Sequence, residues 1–314
     1  MKLVSYKLKG ETDEYEYRIG CIIDDKVIDV QESYRLFLLS RVEQVMVQSI
    51  EEILPADPTE FFSIGESAIE RAKEACAFIQ DHEDKNDYFI DRGKVTLGTP
   101  NPDPAKIICV GRNYVEHAKE MDSDVPEFPV LFGKFSNALI GPEDEIEKSL
   151  YTEQLDYEVE LGVVIGREAR RVSKDDAYDY IAGYTIGNDI TARDLQKRTP
   201  QWLQGKSLDR STPIGPWVVT ADEIKSPDQL VVRSFVNGEK RQESDTSKFI
   251  FDIPFLIEFI SHIMTLQPGD IILTGTPDGV GVAMDPPQFL QAGDVVTLEI
   301  EQIGLLENKV IDAK

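Results

Sequence analysis

The sequence predicts an α+β, β-rich protein in two parts: a small α/β N-terminal domain over residues 1–100 and a larger, strand-rich domain over residues 104–314. Three observations support this. Apolar residues at helical spacing concentrate before residue 100, and strand-like runs recur after it. Between them lies Gly98-Thr99-Pro100-Asn101-Pro102-Asp103-Pro104, where three prolines in five residues cannot continue a helix or a central strand. The length of 314 residues suits two domains at roughly 100–200 residues each.

Taken in order, residues 18–23 and 26–30 are short strands flanking Asp24-Asp25, a hairpin turn. Residues 33–54 and 63–80 carry helical periodicity, the second through Ile64, Ala68, Ala72, Ala75 and Ile79. Beyond the prolines, strands are expected at 106–110, 156–165, 182–188, 217–220, 231–236, 270–274 and 295–300. Asn237-Gly238 marks a type I′ hairpin after the fifth of them. Helices are expected only near 114–121, 174–179, 190–198 and 254–265. The regular helix–strand alternation of a dinucleotide-binding or barrel fold is missing.

Composition narrows the function. With 33 Lys+Arg against 58 Asp+Glu the formal charge is -25, which disfavours nucleic acid and anionic membrane surfaces as partners. An anionic substrate would therefore need local positive charge. Hydrophobic residues make up 41%, enough for a core. Cys21, Cys76 and Cys109 form no CxxC, which argues against a disulfide framework or a thiolate metal site and for a reducing, cytoplasmic setting. No apolar run reaches the ~18 residues of a membrane span.

Four segments carry candidate chemistry. In Leu155-Asp156-Tyr157-Glu158-Val159-Glu160-Leu161, strand alternation puts Asp156, Glu158 and Glu160 on one face. That is either a solvated strand face or a carboxylate cluster around a cation. In Ile186-Gly187-Asn188-Asp189, a strand ends on Asp189, either a helix N-cap or a further carboxylate facing the same cavity. Oxygen ligands alone suit a hard cation, Mg²⁺ or Mn²⁺, over zinc. In Gly111-Arg112-Asn113-Tyr114-Val115-Glu116-His117-Ala118-Lys119-Glu120, His117 and Glu120 are i, i+3 neighbours on a helix: a general-base pair or a surface ion pair. Thr274-Gly275-Thr276-Pro277-Asp278-Gly279-Val280-Gly281 follows a strand, as a plain turn or as a loop whose N–H groups hold a carboxylate. Arg112, Lys134, Arg193 and Lys206 are the cations in or near these segments.

In combination and in this order, these motifs, with Gly205-Lys206-Ser207, closely resemble the fumarylacetoacetate hydrolase family, in its acylpyruvate hydrolase and oxaloacetate decarboxylase branch. The resemblance covers about residues 104–312; residues 1–100 resemble the accessory domain of some bacterial members. It implies a mixed β-roll catalytic domain, a homodimer, and Mg²⁺ or Mn²⁺ held by Glu158, Glu160 and Asp189. It implies catalytic roles for His117, Glu120 and Lys206, and substrate contacts from Arg112, Lys134, Gln196 and Thr276. Asp156 would orient Lys206 or a metal-bound water. The implied substrate is a small anionic 2-oxo acid with a second carbonyl or carboxylate at the β position. Oxaloacetate would be decarboxylated, or an acylpyruvate cleaved by water that His117 activates, to give pyruvate. Isomerisation or tautomerisation on the same scaffold, and a binding or regulatory role, are the alternatives.

Overall fold

The computed structural model describes residues 1–10, 17–41, 47–82 and 88–313. The N-terminal segment contains β1 (Lys2–Leu8), β2 (Arg18–Ile23), β3 (Lys26–Asp29), β4 (Phe89–Asp91) and β5 (Val95–Gly98). Its helices are α1 (Val30–Ser40), α2 (Ile50–Ile53), α3 (Pro58–Ile64) and α4 (Glu66–Asp81). Helix α1 starts earlier than its periodicity suggests because the Asp29 carboxylate accepts the Glu32 N–H and caps it. The expected helix over 33–54 is realised as α1 and α2; its stretch 42–46 lies outside the described residues. The helix over 63–80 begins at Glu66 because Gly65 has φ +75° and a Cβ there would collide with the Gly166 carbonyl.

The C-terminal segment adds β6 (Ile107–Gly111), β7 (Val130–Lys134), β8 (Leu139–Ile140), β9 (Ile146–Lys148), β10 (Leu155–Asp156) and β11 (Val159–Ile165). It continues through β12 (Ile181–Asn188), β13 (Thr191–Ala192), β14 (Thr212–Thr220), β15 (Val231–Val236), β16 (Glu239–Asp245), β17 (Ile271–Leu273), β18 (Val295–Ile300) and β19 (Gly304–Asp312). Its helices are α5 (Val115–Glu120), α6 (Arg193–Gln196), α7 (Leu203–Lys206) and α8 (Ile253–Ile263). The fold is mixed and strand-rich, as expected. The Asn237-Gly238 hairpin forms between β15 and β16, both residues at positive φ. Two expected helices differ. Residues 174–180 make a 3₁₀ turn. The helix near 190–198 shrinks to α6 because Thr191 and Ala192 pair with Asp156 and Leu155.

The main sheet runs β4-β3-β2-β1-β14-β12-β11-β17-β6-β7, with β5 on β1 and β8 on β14; a second sheet runs β16-β15-β18-β19-β9. The main sheet crosses the proline segment without a break, since β1 pairs with β14 through Leu3 and Val218. Period-2 alternation then sends neighbouring residues of one strand into different cores. Val163 packs with Leu298, Ile300 and Leu256 of the second sheet and α8, whereas Val164 packs with Leu3, Phe61 and Ala72 beneath the N-terminal helices. With both faces covered, every residue of β11 is buried. A solvated face for its carboxylates is thereby excluded.

Candidate active site

The expected strand over 156–165 is interrupted at Tyr157-Glu158, and that interruption builds the site. The Asn188 side-chain carbonyl accepts the Glu158 N–H at 3.1 Å, replacing a ladder bond, while β11 resumes at Val159 opposite Asn188. Glu158 and Glu160 are thus carried to the end of the sheet where Asp189 leaves β12. One oxygen from each of Glu158, Glu160 and Asp189 lies within 4.8 Å of the others, and all three residues are buried. Asp189 does not cap a helix; its carboxylate accepts from Lys134 at 2.7 Å and Lys206 at 2.6 Å. Lys206 also donates to Glu158 at 2.7 Å, and the Arg193 guanidinium approaches Glu158 at 2.7 Å.

The carboxylates differ in how they are compensated. Burial opposes ionisation of Glu158, yet Lys206 and Arg193 overcome it and hold its carboxyl well below the usual range. Glu160 accepts the Gly275 N–H at 2.8 Å, but burial, reinforced by Asp189 and Glu158, pushes its carboxyl well above the usual range. Burial would lower Lys206, but Asp189 and Glu158 raise it, so its ammonium stays charged.

His117 and Glu120 lie together on α5, with Nδ1 2.7 Å from the Glu120 carboxylate. The other Glu120 oxygen accepts the Gly279 N–H at 2.9 Å. The glycine-rich loop therefore does hold carboxylates, but they belong to the protein: Gly275 N–H serves Glu160, Gly279 N–H serves Glu120 and Gly281 N–H serves Asp156. Gly275, at φ +102°, leaves no room for a Cβ against Asn113.

A cavity of about 40 Å³ is lined by Arg112, His117, Gln196, Lys206 and Thr276 together with the three carboxylates. Two of the residues singled out from sequence stand behind this lining. Glu120 sits behind His117, and Lys134 sits behind Asp189, its ammonium taken up by that carboxylate and the Ile190 carbonyl. Arg112 has φ +57°, and its guanidinium lies 5.5 Å from the Trp202 ring centroid. Asp156 makes no bond to Lys206. It accepts from Arg193 at 2.8 Å and from the N–H groups of Gly281 and Val282, so it orients the arginine and the loop.

Sequence reading named Arg193 only as a nearby cation, without a partner, and missed two contributors, Trp202 and Gln242. Arg193 is 1% exposed and joins Asp156, Glu158 and Gln196. Trp202 forms a cavity wall. Gln242, on β16, donates to the Thr276 hydroxyl at 2.7 Å and to the Pro277 carbonyl at 2.8 Å. Arg193 lies inside the Thr-Ala-Arg-Asp motif, so a signal was present; Gln242 has none, because β16 meets the loop only in three dimensions.

The donor set fits a divalent cation. Asp156, Glu158, Glu160 and Asp189 are buried, and among the described residues Lys134, Arg193 and Lys206 pair with them: four carboxyl groups against three cations. The group left unbalanced is Glu160, beside two other carboxylates. Three carboxylate oxygens without Cys or His suit a hard ion.

Residues 106–311 match the family model described as "Fumarylacetoacetate (FAA) hydrolase C-terminal". This chain belongs to the fumarylacetoacetate hydrolase family. It is 43% identical over 299 residues to "Oxaloacetate tautomerase YisK" of Bacillus subtilis, covering 93% of this chain and 95% of that one. Two solved structures align over the full length of both chains. The fumarylacetoacetate hydrolase from Exiguobacterium antarcticum gives a TM-score of 0.76 at 36% identity. The maleylpyruvate hydrolase from Sphingobium sp. SYK-6, in complex with manganese(II) ion and pyruvate, gives 0.74 at 27%. As a member of the fumarylacetoacetate hydrolase family, this chain is an enzyme. Among its described residues, no helix is long and apolar enough to cross a membrane.

Proposed function

We propose that this protein is a metal-dependent enzyme that breaks a bond at C3 of a small 2-oxo acid, with oxaloacetate as substrate and pyruvate as the product of decarboxylation. Hydrolytic carbon–carbon cleavage of an acylpyruvate is the related reaction. The observation that carries this is the buried Glu158–Glu160–Asp189 cluster sharing one small cavity with His117 and Lys206. These carboxylates hold Mg²⁺ or Mn²⁺; manganese in the related maleylpyruvate hydrolase supports this. The bound cation supplies Lewis acidity toward the substrate's 2-oxo group.

The chain's own residues do the rest. With Glu160 ionised on a divalent ion, the buried set carries one net positive charge, so a protein of charge -25 presents a locally attractive site to a dianion. Arg112, Gln196 and Thr276 bind and orient the substrate from the cavity wall. Lys134 acts through Asp189. His117, fixed by Glu120, activates water or moves a proton at C3. Lys206, held as ammonium, stabilises negative charge developing on oxygen.

The name of the Bacillus relative favours a second reading, keto–enol tautomerisation of oxaloacetate. Decarboxylation and tautomerisation both pass through an enolate; C3 loses CO₂ in one and a proton in the other. Only the proton route needs a base at C3. Residues 104–314 form the catalytic unit, since the site residues run from Arg112 to Thr276. Residues 1–100 are an accessory layer, the working protein is a homodimer, and its setting is cytoplasmic.

Protein loaded with Mg²⁺ or Mn²⁺ is supplied with oxaloacetate, acetylpyruvate and fumarylpyruvate, with pyruvate release and enol absorbance followed separately. Metal-dependent pyruvate release that EDTA abolishes is expected. Enol interconversion without pyruvate assigns the tautomerase reading. Turnover unaffected by EDTA, or none on any substrate, overturns the proposal.

A further inference from the structure

The three thiols of this chain are not equivalent. Cys109 lies in β6, in a core cluster with Ile107 and Leu273. Cys21 and Cys76 lie together in the other core, where β2 meets the inner face of α4. Cys21 is fully buried and Cys76 is 4% exposed. Their Sγ atoms stand 2.6 Å apart although the residues are 55 positions apart in sequence.

We infer that Cys21 and Cys76 are a built disulfide site, a covalent cross-link between β2 and α4 that forms when the protein meets a small-molecule disulfide such as oxidised glutathione. The fold already holds the two sulfurs in contact, so the bond needs only a small side-chain adjustment. Cys109 belongs to a different cluster and does not compete.

The chemistry balances in two exchanges. Cys76, which keeps the residual exposure, loses its proton and attacks the small disulfide, giving a mixed disulfide and releasing one small thiol. Cys21 then loses its proton and attacks the Cys76 sulfur, forming the Cys21–Cys76 bond and releasing the second small thiol. Two protein thiols are oxidised and one small disulfide is reduced to two thiols. The hydrogen bond with Cys76, and then burial, hold the Cys21 thiol well above its ordinary range. Exchange is therefore slow in the closed core and proceeds as α4 opens from β2.

The consequence is mechanical rather than catalytic. Helix α4 begins on the loop that follows β11, where the Glu66 N–H donates to the Gly166 carbonyl at 2.9 Å. A bond from α4 to β2 closes a long loop of chain, removes freedom from the unfolded state, and fixes the N-terminal layer against the sheet. No residue of the cavity lies on either element.

The test uses the whole protein, equilibrated in glutathione buffers from fully reduced to fully oxidised, then denatured in an alkylating agent and mapped by mass spectrometry. The reduced protein should show three alkylated cysteines. The oxidised protein should show one, Cys109, with the Cys21 and Cys76 peptides linked. Its thermal midpoint should rise, with turnover unchanged. Cys76→Ala should keep turnover and lose the redox dependence of the midpoint. Three alkylated cysteines at every ratio, glutathione adducts without a linked peptide, or links through Cys109 would each overturn the inference.

Discussion

Glu158 and Glu160 stand two residues apart on one segment, are equally buried, and sit in opposite electrostatic settings. Glu158 belongs to a wall saturated with cation: Lys206 and Arg193 touch it, and Lys206 and Lys134 hold its neighbour Asp189. Glu160 belongs to a wall where no cation among the described residues touches it: the Gly275 N–H, with Lys206 farther off, is set against two facing carboxylates. Burial alone does not tell a structural carboxylate from a metal-binding one. What separates them is whether the protein has supplied the counter-charge or left it to be supplied.

Replacing the uncompensated member should have the largest effect. Glu160→Gln keeps shape and removes charge; metal binding by calorimetry should vanish, and turnover should fall at least ~10³-fold, the upper range for losing a preorganised electrostatic partner. In EDTA the same change should act the other way. Glu160 is raised by burial, then by Asp189 and Glu158. A group whose folded pKa exceeds its unfolded one stabilises at low pH, and that contribution is lost as pH rises through the folded value. The metal-free protein should therefore lose stability from the ordinary carboxylate range upward, and Glu160→Gln should flatten that slope. A thermal midpoint measured against pH in EDTA checks this; an unchanged slope breaks the contrast between the two walls.

The compensated wall should respond next. Lys206→Met leaves Glu158 and Asp189 buried without their shared ammonium, which costs about 3–5 kcal/mol. Denaturant unfolding should show this even in EDTA, where Glu160→Gln shows no loss. Equal destabilisation by both changes would mean the walls are alike.

Much of this site was legible from local pattern. Alternation put Glu158 and Glu160 together, i, i+3 spacing paired His117 with Glu120, and Asn237-Gly238 turned its hairpin. The illegible part comes from long-range pairing. Lys206 meets Glu158 across 48 positions, Lys134 meets Asp189 across 55, and Gln242 meets Thr276 across 34. Sheet order brings these together, and no local period encodes it. The solvated-face reading of the carboxylate strand failed for the same reason: the layers covering β11 come from the N-terminal helices and the second sheet. The early strand break at Tyr157-Glu158 depends on one side chain, Asn188, in a different strand.

His117 lines the cavity but is paired with Glu120 rather than with a member of the carboxylate cluster, so its loss should be felt in rate alone. His117→Ala should keep metal affinity and lower acylpyruvate hydrolysis or tautomerisation about 10²-fold, the lower range for a general base and about 2.7 kcal/mol. Decarboxylation of oxaloacetate needs no base at C3 and should persist. Parallel assays of one preparation separate the steps, and unchanged turnover on every substrate would remove His117 from the scheme.

Gln242 offers the finest test, because it touches the cation-poor wall without carrying charge. Its amide N–H₂ donates to Thr276 and the Pro277 carbonyl, while its carbonyl accepts from Val159 N–H and the Ser234 hydroxyl. Gln242→Leu strands these buried groups and should cost about 1–3 kcal/mol of stability. Because Thr276 lines the cavity and Gln242 does not, the kinetic effect should be a raised KM with kcat nearly kept. Metal affinity should stay put, since Val159 N–H lies between Glu158 and Glu160 but binds neither. A fall in metal affinity instead would show that the loop and the carboxylates move as one unit, and that the wall around Glu160 is held by hydrogen bonds as firmly as the wall around Glu158 is held by charge.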